Sequence, residues 1–137
     1  MKEAKPTELV QLASDVVEGL DPFMREGEPP FALWGHSMGA WLAYEVARCL
    51  ERRVEAGAAI QAPMHLFASA NRAPSLTRPQ DNPDGNVMHT LAADDFWRVY
   101  TQRYGANPML ESPVLRARLL PGLKADFALI ETYHASR

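Results

Sequence analysis

The sequence predicts an α/β fold. Three features carry that reading: two short apolar runs suited to buried strands, an alanine-rich helical segment between them, and a glycine-flanked serine where the first run gives way to that helix. Helix, strand, helix, strand is the order of a βαβ unit, whose two strands lie parallel. The first helix is expected from Thr7 to about Met24, where Leu9, Leu12, Ala13, Val16, Val17 and Leu20 recur at three and four residues, with Thr7 placed to cap it and Pro6 just outside. Glu28-Pro29-Pro30 ends the pattern, because Pro30 has no N–H and pushes Pro29 toward extended backbone. Phe31-Ala32-Leu33-Trp34 then reads as a buried strand. A second helix is expected from Met38 to about Arg53, with Leu42, Val46 and Cys49 on one stripe and Glu45, Arg48 and Arg52 set apart from it. The second strand is Met64 to Ser69, bounded by Pro63 and by Asn71-Arg72-Ala73-Pro74.

Beyond it, Pro79, Pro83 and Asp84-Gly85 punctuate an expected loop from Ser75 to Asn86. The remainder reads as helical: Asp94 to Tyr104, then, after a break from Gly105 to Pro108, two pieces near Pro113 to Leu120 and Pro121 to Tyr133. With no repeat or linker, residues 1–137 are expected to form a single domain. Two parallel strands are too few for a sheet that needs helices on both faces, so the sheet is expected to be incomplete at both ends, a piece of a larger one.

Composition narrows the function. A chain of 137 residues with 47% hydrophobic and 23% charged content belongs with globular domains rather than disordered ones. A net charge of −3 without a basic block leaves the electrostatic attraction that dominates nucleic-acid binding without an obvious source. The single cysteine, Cys49, can neither close an internal disulfide nor supply a thiolate metal cluster, and fits a reducing compartment. There is no signal-like apolar stretch in the first residues and no run of apolar residues long enough to span a bilayer. The expectation is therefore a cytoplasmic protein with no cofactor, no metal, no nucleic-acid partner and no membrane.

Gly35-His36-Ser37-Met38-Gly39 matches G-x-S-x-G in the strand–turn–helix context that gives the pattern meaning. Such a turn forces the serine into a strained backbone and lifts its hydroxyl to the carboxyl edge of the sheet, while the two glycines let neighbouring backbone pass close by. Ser37 is thus the candidate nucleophile. The N–H of Met38, at the start of the helix, is placed to donate to a developing oxyanion. The alternative for Ser37 is a plain helix cap. A base is harder to name. His36 is the variable position of the turn, His65 falls at the wrong end of its strand, His89 follows an exposed loop, and His134 lies near the chain end. None is singled out, nor is any one of Asp81, Asp84, Asp94, Asp95 and Asp126 as its orienting partner.

In Pro30-Phe31-Ala32-Leu33-Trp34-Gly35-His36-Ser37-Met38-Gly39-Ala40, in Ala43-Tyr44-Glu45-Val46-Ala47, in His65 to Pro74 and in Leu119 to Phe127, the chain resembles the type II thioesterases of fatty-acid, polyketide and nonribosomal-peptide synthases. The resemblance implies a partial α/β-hydrolase fold and hydrolysis of acyl groups held on the phosphopantetheine of an acyl or peptidyl carrier protein. It also implies that Ser37 is the nucleophile, that the Met38 amide is half of an oxyanion hole, and that helices within residues 88–120 form a lid over an acyl pocket. Phe96, Trp97, Tyr100, Leu110, Leu115 and Leu119 are more apolar than short surface helices require. Phe96 and Leu115 are the expected acyl contacts, ordinary core packing being the alternative. The family places its glycine-rich oxyanion loop before the region that matches here and its triad acid and base after it. The chain is accordingly expected to correspond to the middle of such an enzyme and to turn over little by itself. Two other readings stand beside this one: a non-catalytic module that binds acyl groups or an acidic carrier protein, with Arg72, Arg78, Arg98 and Arg103 as contacts, and a different serine esterase.

Overall fold

The first helix, α1 (Leu9–Leu20), starts after Glu8, which makes no side-chain cap, and buries Leu9, Ala13 and Val17 along one stripe. The computed structural model describes residues 8–76, 82 and 84–135, so the expected cap at Thr7 lies outside the described residues. The helix stops earlier than Met24. Pro22 has no N–H to continue the ladder, and Asp21–Phe23 tighten into a 3-10 turn.

Strand β1 (Ala32–His36) runs two residues past Trp34, through Gly35 and His36, and delivers the chain directly into α2 (Met38–Glu55). Strand β2 (His65–Ser69) pairs with β1 in parallel, in a register that sets Ala32 opposite His65 and His36 opposite Ser69. Among the described residues these form a two-stranded sheet, joined by α2 as the crossover. An isolated antiparallel bridge, Arg25 to Ile60, ties the ends of the helical segments together. The Gln61 side chain reinforces it by donating to the carbonyls of Arg25 (2.8 Å) and Glu28 (2.7 Å).

The chain divides into two compact units, Met1–Leu76 and Thr77–Arg137. The core of the first joins Ala13 and Val17 of α1 to Val46 and Leu50 of α2, with Met24 and Ile60 beside them and Leu33 packed on from the sheet. Leu42 and Cys49 also pack there, as their stripe predicts. Glu45 departs from expectation. It is buried, not set apart, and the Arg48 guanidinium one turn on, at 3.6 Å, gives its carboxylate an ionic partner. Alternation along β1 leaves Trp34 on the opposite face of the sheet from Leu33, and Trp34 is 70% exposed.

The second unit is helical. A 3-10 turn (Met88–Thr90) precedes α3 (Ala93–Tyr104), whose first turn carries Asp94 and Asp95 where the helix dipole favours negative charge. After a second 3-10 turn (Pro108–Glu111), capped by the Asn107 side chain on the Met109 N–H at 3.0 Å, comes α4 (Pro113–Thr132). This helix is continuous where the sequence suggested two pieces. Pro121 sits in its interior, forfeiting one backbone bond without ending the helix, while Phe127 and Leu129 anchor its later turns. Met88, Phe96, Trp97, Val99 and Phe127 form this unit's own core, with Tyr100, Leu110, Leu120 and Leu123 against it.

Candidate active site

The turn from β1 into α2 puts Ser37 at φ 53° and ψ −124°, a region that residues with a Cβ seldom occupy. The hydrogen bonds around it explain how that conformation is held. The Ser37 N–H donates to the Ser69 carbonyl at 2.9 Å, extending the parallel ladder one step beyond the strands. The Ser37 carbonyl accepts from the Ala40 N–H at 2.9 Å, the first bond of α2, and from the side-chain amide of Asn71, also at 2.9 Å. A Cβ on Gly35 would overlap the Gly39 carbonyl and sit 2.7 Å from the Ala40 Cα, so the turn requires glycine there. Gly39 differs from expectation: a Cβ at its position meets nothing within 4 Å, and what it contributes is the carbonyl that presses on Gly35. The Ser37 side chain makes no capping hydrogen bond to α2, which sets the plain-cap alternative aside, and the residue is exposed. Met38 is the first residue of α2, a position whose N–H has no partner within the helix.

The other strand end mirrors this one. Ala70, directly after β2, also has positive φ (55°), so two strained residues lie side by side at the carboxyl edge of the strand pair. His36 Nδ1 lies 3.2 Å from Ser69 Oγ, and its ring is stacked against Trp34 with centroids 6.2 Å apart. His65 is paired with Ala32 at the far end of the strands, as its place in the sequence predicts.

In the second unit, Phe96 is wholly enclosed, in edge-to-face contact with Trp97 (5.3 Å between centroids) and Phe127 (5.7 Å). Leu115 is half-buried in the first turns of α4 and Leu119 is more open. His89, expected as an exposed loop residue, is instead fixed: its Nδ1 lies 2.7 Å from the buried carboxylate of Glu131. That carboxylate also accepts the N–H groups of Met88 (2.8 Å) and His89 (3.1 Å). Of the arginines considered for an acidic partner, Arg103 is committed to Asp84 (2.8 Å from Nε) and to the Asn86 carbonyl (3.0 Å), and Arg98 pairs with Asp95 at 2.9 Å. Arg78 lies outside the described residues. The Arg103 guanidinium and the Asn86 N–H hold the Asp84 carboxyl well below the usual carboxylate range. Among the described residues no group of three or more His, Cys, Asp or Glu is placed to hold a metal ion, and no helix is long and apolar enough to cross a membrane.

The family model for the thioesterase domain matches residues 1–137. The chain belongs to this family. Its relatives include the thioesterase PikA5 of Streptomyces venezuelae, 35% identical over 124 residues that cover 90% of this chain and 40% of PikA5. They also include the gramicidin S biosynthesis protein GrsT of Aneurinibacillus migulanus, 30% identical over 96% of this chain and 46% of GrsT. Among solved structures, the RedJ thioesterase of the prodiginine biosynthetic pathway in Streptomyces coelicolor superposes with a TM-score of 0.77 at 33% identity, covering 97% of this chain and 48% of RedJ. This thioesterase-family chain thus spans about half the length of the relatives it matches, and its fold is part of the α/β-hydrolase fold, with the sheet reduced to one parallel pair among the described residues. The hydrogen bonds made by Asn71, Ser69 and Glu131 are contacts that sequence reading missed. The signal for Asn71 was present, since an Asn two residues past a strand end is a residue type able to hydrogen-bond backbone.

Proposed function

We propose that this chain supplies the nucleophile of a serine thioesterase that releases acyl groups from the phosphopantetheine arm of acyl or peptidyl carrier proteins. The observation that carries the reading is the backbone of Ser37, φ 53° and ψ −124°, in a G-x-S-x-G turn between a parallel strand and a helix. Strain of this kind costs about 1–3 kcal/mol and persists where function uses it. Here it presents an exposed hydroxyl beside the N-terminus of an 18-residue helix.

In this reading Ser37 Oγ attacks the thioester carbonyl carbon and gives up its proton to a base. The carbonyl oxygen, now negative, takes the Met38 N–H. Collapse expels the pantetheine thiolate, which leaves protonated as the thiol, and water then hydrolyses the acyl-serine to free acid and Ser37. Neither histidine of the Met1–Leu76 unit is assigned as the base: His36 is engaged with Ser69, and His65 is at the opposite end of the strands. Gly35 and Gly39 shape the turn. Residues 88–120 are proposed as the acyl-binding lid, with half-buried Leu115 offering surface to the acyl chain and enclosed Phe96 acting through the packing of its aromatic cluster.

The test is acyl transfer to the serine. The chain is incubated with an acyl carrier protein bearing an octanoyl thioester, and adducts are located by peptide mass spectrometry. Slow acylation of Ser37, absent in Ser37→Ala, is expected, with turnover depressed by several powers of ten relative to a complete triad. Acylation elsewhere, or unaltered by Ser37→Ala, would overturn the proposal.

A further inference from the structure

We infer that Asn71 is a positioning residue for the oxyanion donor, acting through the Ser37–Met38 peptide. The inference rests on the reading of Ser37 and Met38 above and deepens it. A peptide unit is planar, so the carbonyl of Ser37 and the N–H of Met38 are two ends of one rigid plate. Whatever holds one end aims the other.

The Asn71 side-chain nitrogen lies 2.9 Å from the Ser37 oxygen. The orientation of that amide is fixed chemically. Its oxygen, at 3.0 Å, receives the N–H of Arg72, which can only donate, so the NH2 end is the one that faces the Ser37 oxygen, which can only accept. Asn71 is brought there by two devices. Ala70 takes a positive φ of 55°, turning the chain back as it leaves β2, and Trp41 of α2 donates its indole N–H to the Arg72 carbonyl at 2.9 Å, pinning the segment from the far side.

The contact has an electronic consequence besides the geometric one. A hydrogen bond accepted by an amide oxygen polarises the whole amide and makes its N–H a stronger donor. With the Ala40 N–H already on the same oxygen, the Ser37 carbonyl accepts twice, and the Met38 N–H is the end that gains. Asn71 therefore both aims and strengthens the group assigned to the oxyanion, without touching substrate.

Asn71→Asp separates this role from a merely structural one. The aspartate keeps an acceptor for the Arg72 N–H but loses the donor to Ser37. Two measurements on the full chain are compared with wild type. One is NMR of the Ser37 carbonyl carbon and the Met38 amide nitrogen, together with the through-hydrogen-bond coupling from the Asn71 side-chain nitrogen to the Ser37 carbonyl carbon, which needs no variant. The other is the rate of phosphonylation of Ser37 by a fluorophosphonate, whose phosphoryl oxygen develops charge as the thioester oxygen would. The coupling is expected in wild type. In Asn71→Asp both resonances should move upfield and phosphonylation should slow about tenfold, less than the 100-fold or more for outright loss of a donor, with the resonances of the core around Val46 and Leu50 unmoved. Absence of the coupling, or unmoved resonances in Asn71→Asp, overturns the inference; so does an unchanged labelling rate. If wild type is not labelled at Ser37, the nucleophile reading falls, and the NMR measurements still decide whether Asn71 tethers the peptide.

Discussion

At Ser37 a local motif and a distant contact meet, and they differ in how far the sequence reveals them. The motif is contiguous, so Gly35, Ser37, Met38 and Gly39 could be named from the chain alone. The tether could not, because Asn71 reaches Ser37 from 34 residues away and only the parallel register brings them together. The two glycines illustrate the same point. The pattern treats them alike, yet only Gly35 faces backbone at a distance no Cβ tolerates. Gly35→Ala is expected to destabilise the first unit by about 1–3 kcal/mol or more, the cost of overpacking against backbone that cannot yield. Gly39→Ala, in open space inside a helix, should be neutral or stabilise by up to about 1 kcal/mol. Chemical denaturation of the two variants checks both, and equal losses would mean that the close approach of Gly35 to the Gly39 carbonyl is not what distinguishes the two positions.

Among the elements, the order of helices and strands was legible from periodicity, and the ends shifted for physical reasons. β1 continues to His36 because the ladder continues, and α4 passes through Pro121 because burial of Phe127 and Leu129 outweighs one missing bond. Glu131 shows what periodicity cannot reach. Its carboxylate, 6% exposed, gathers the N–H groups of Met88 and His89 and the His89 ring from 42 and 43 residues away, docking the 3-10 turn onto α4. Such a cluster is written in no window of the sequence. Glu131→Ala would leave those donors without their acceptor, and a loss of about 2–3 kcal/mol is expected. Glu131→Gln, which keeps one oxygen to accept, should lose less. Hydrogen exchange at the Met88 and His89 amides is the direct readout: both should be slow in the parent and fast in Glu131→Ala, and unaltered exchange would show that the turn holds itself.

For the whole molecule, the sheet sets the behaviour. One face of β1 and β2 packs through Leu33 on the helices, while the other leaves Trp34 70% and Phe67 52% exposed, with Met64, just before β2, 73% exposed. An apolar patch of that kind is a site of association. The chain is expected to self-associate reversibly at micromolar concentration, and Phe67→Lys should shift it toward monomer without lowering its thermal midpoint; sedimentation velocity over a concentration series measures both, and a wild type that remains monomeric throughout would count against it. A sheet of two strands among the described residues follows from counting the apolar runs, whereas which side chains stand bare depends on the register and on where α1 and α2 lie. The parallel pairing also sets a timetable. His36 and Ser69 are 33 residues apart, with all of α2 between them. As the chain is synthesised from its N-terminus, the whole helix is made before Ser69 exists to accept the Ser37 N–H, and the two ends must then find each other at the entropic cost of closing that span. The strained serine is thus acquired late, by closure, and a nascent chain carries the motif for some time before it holds the geometry.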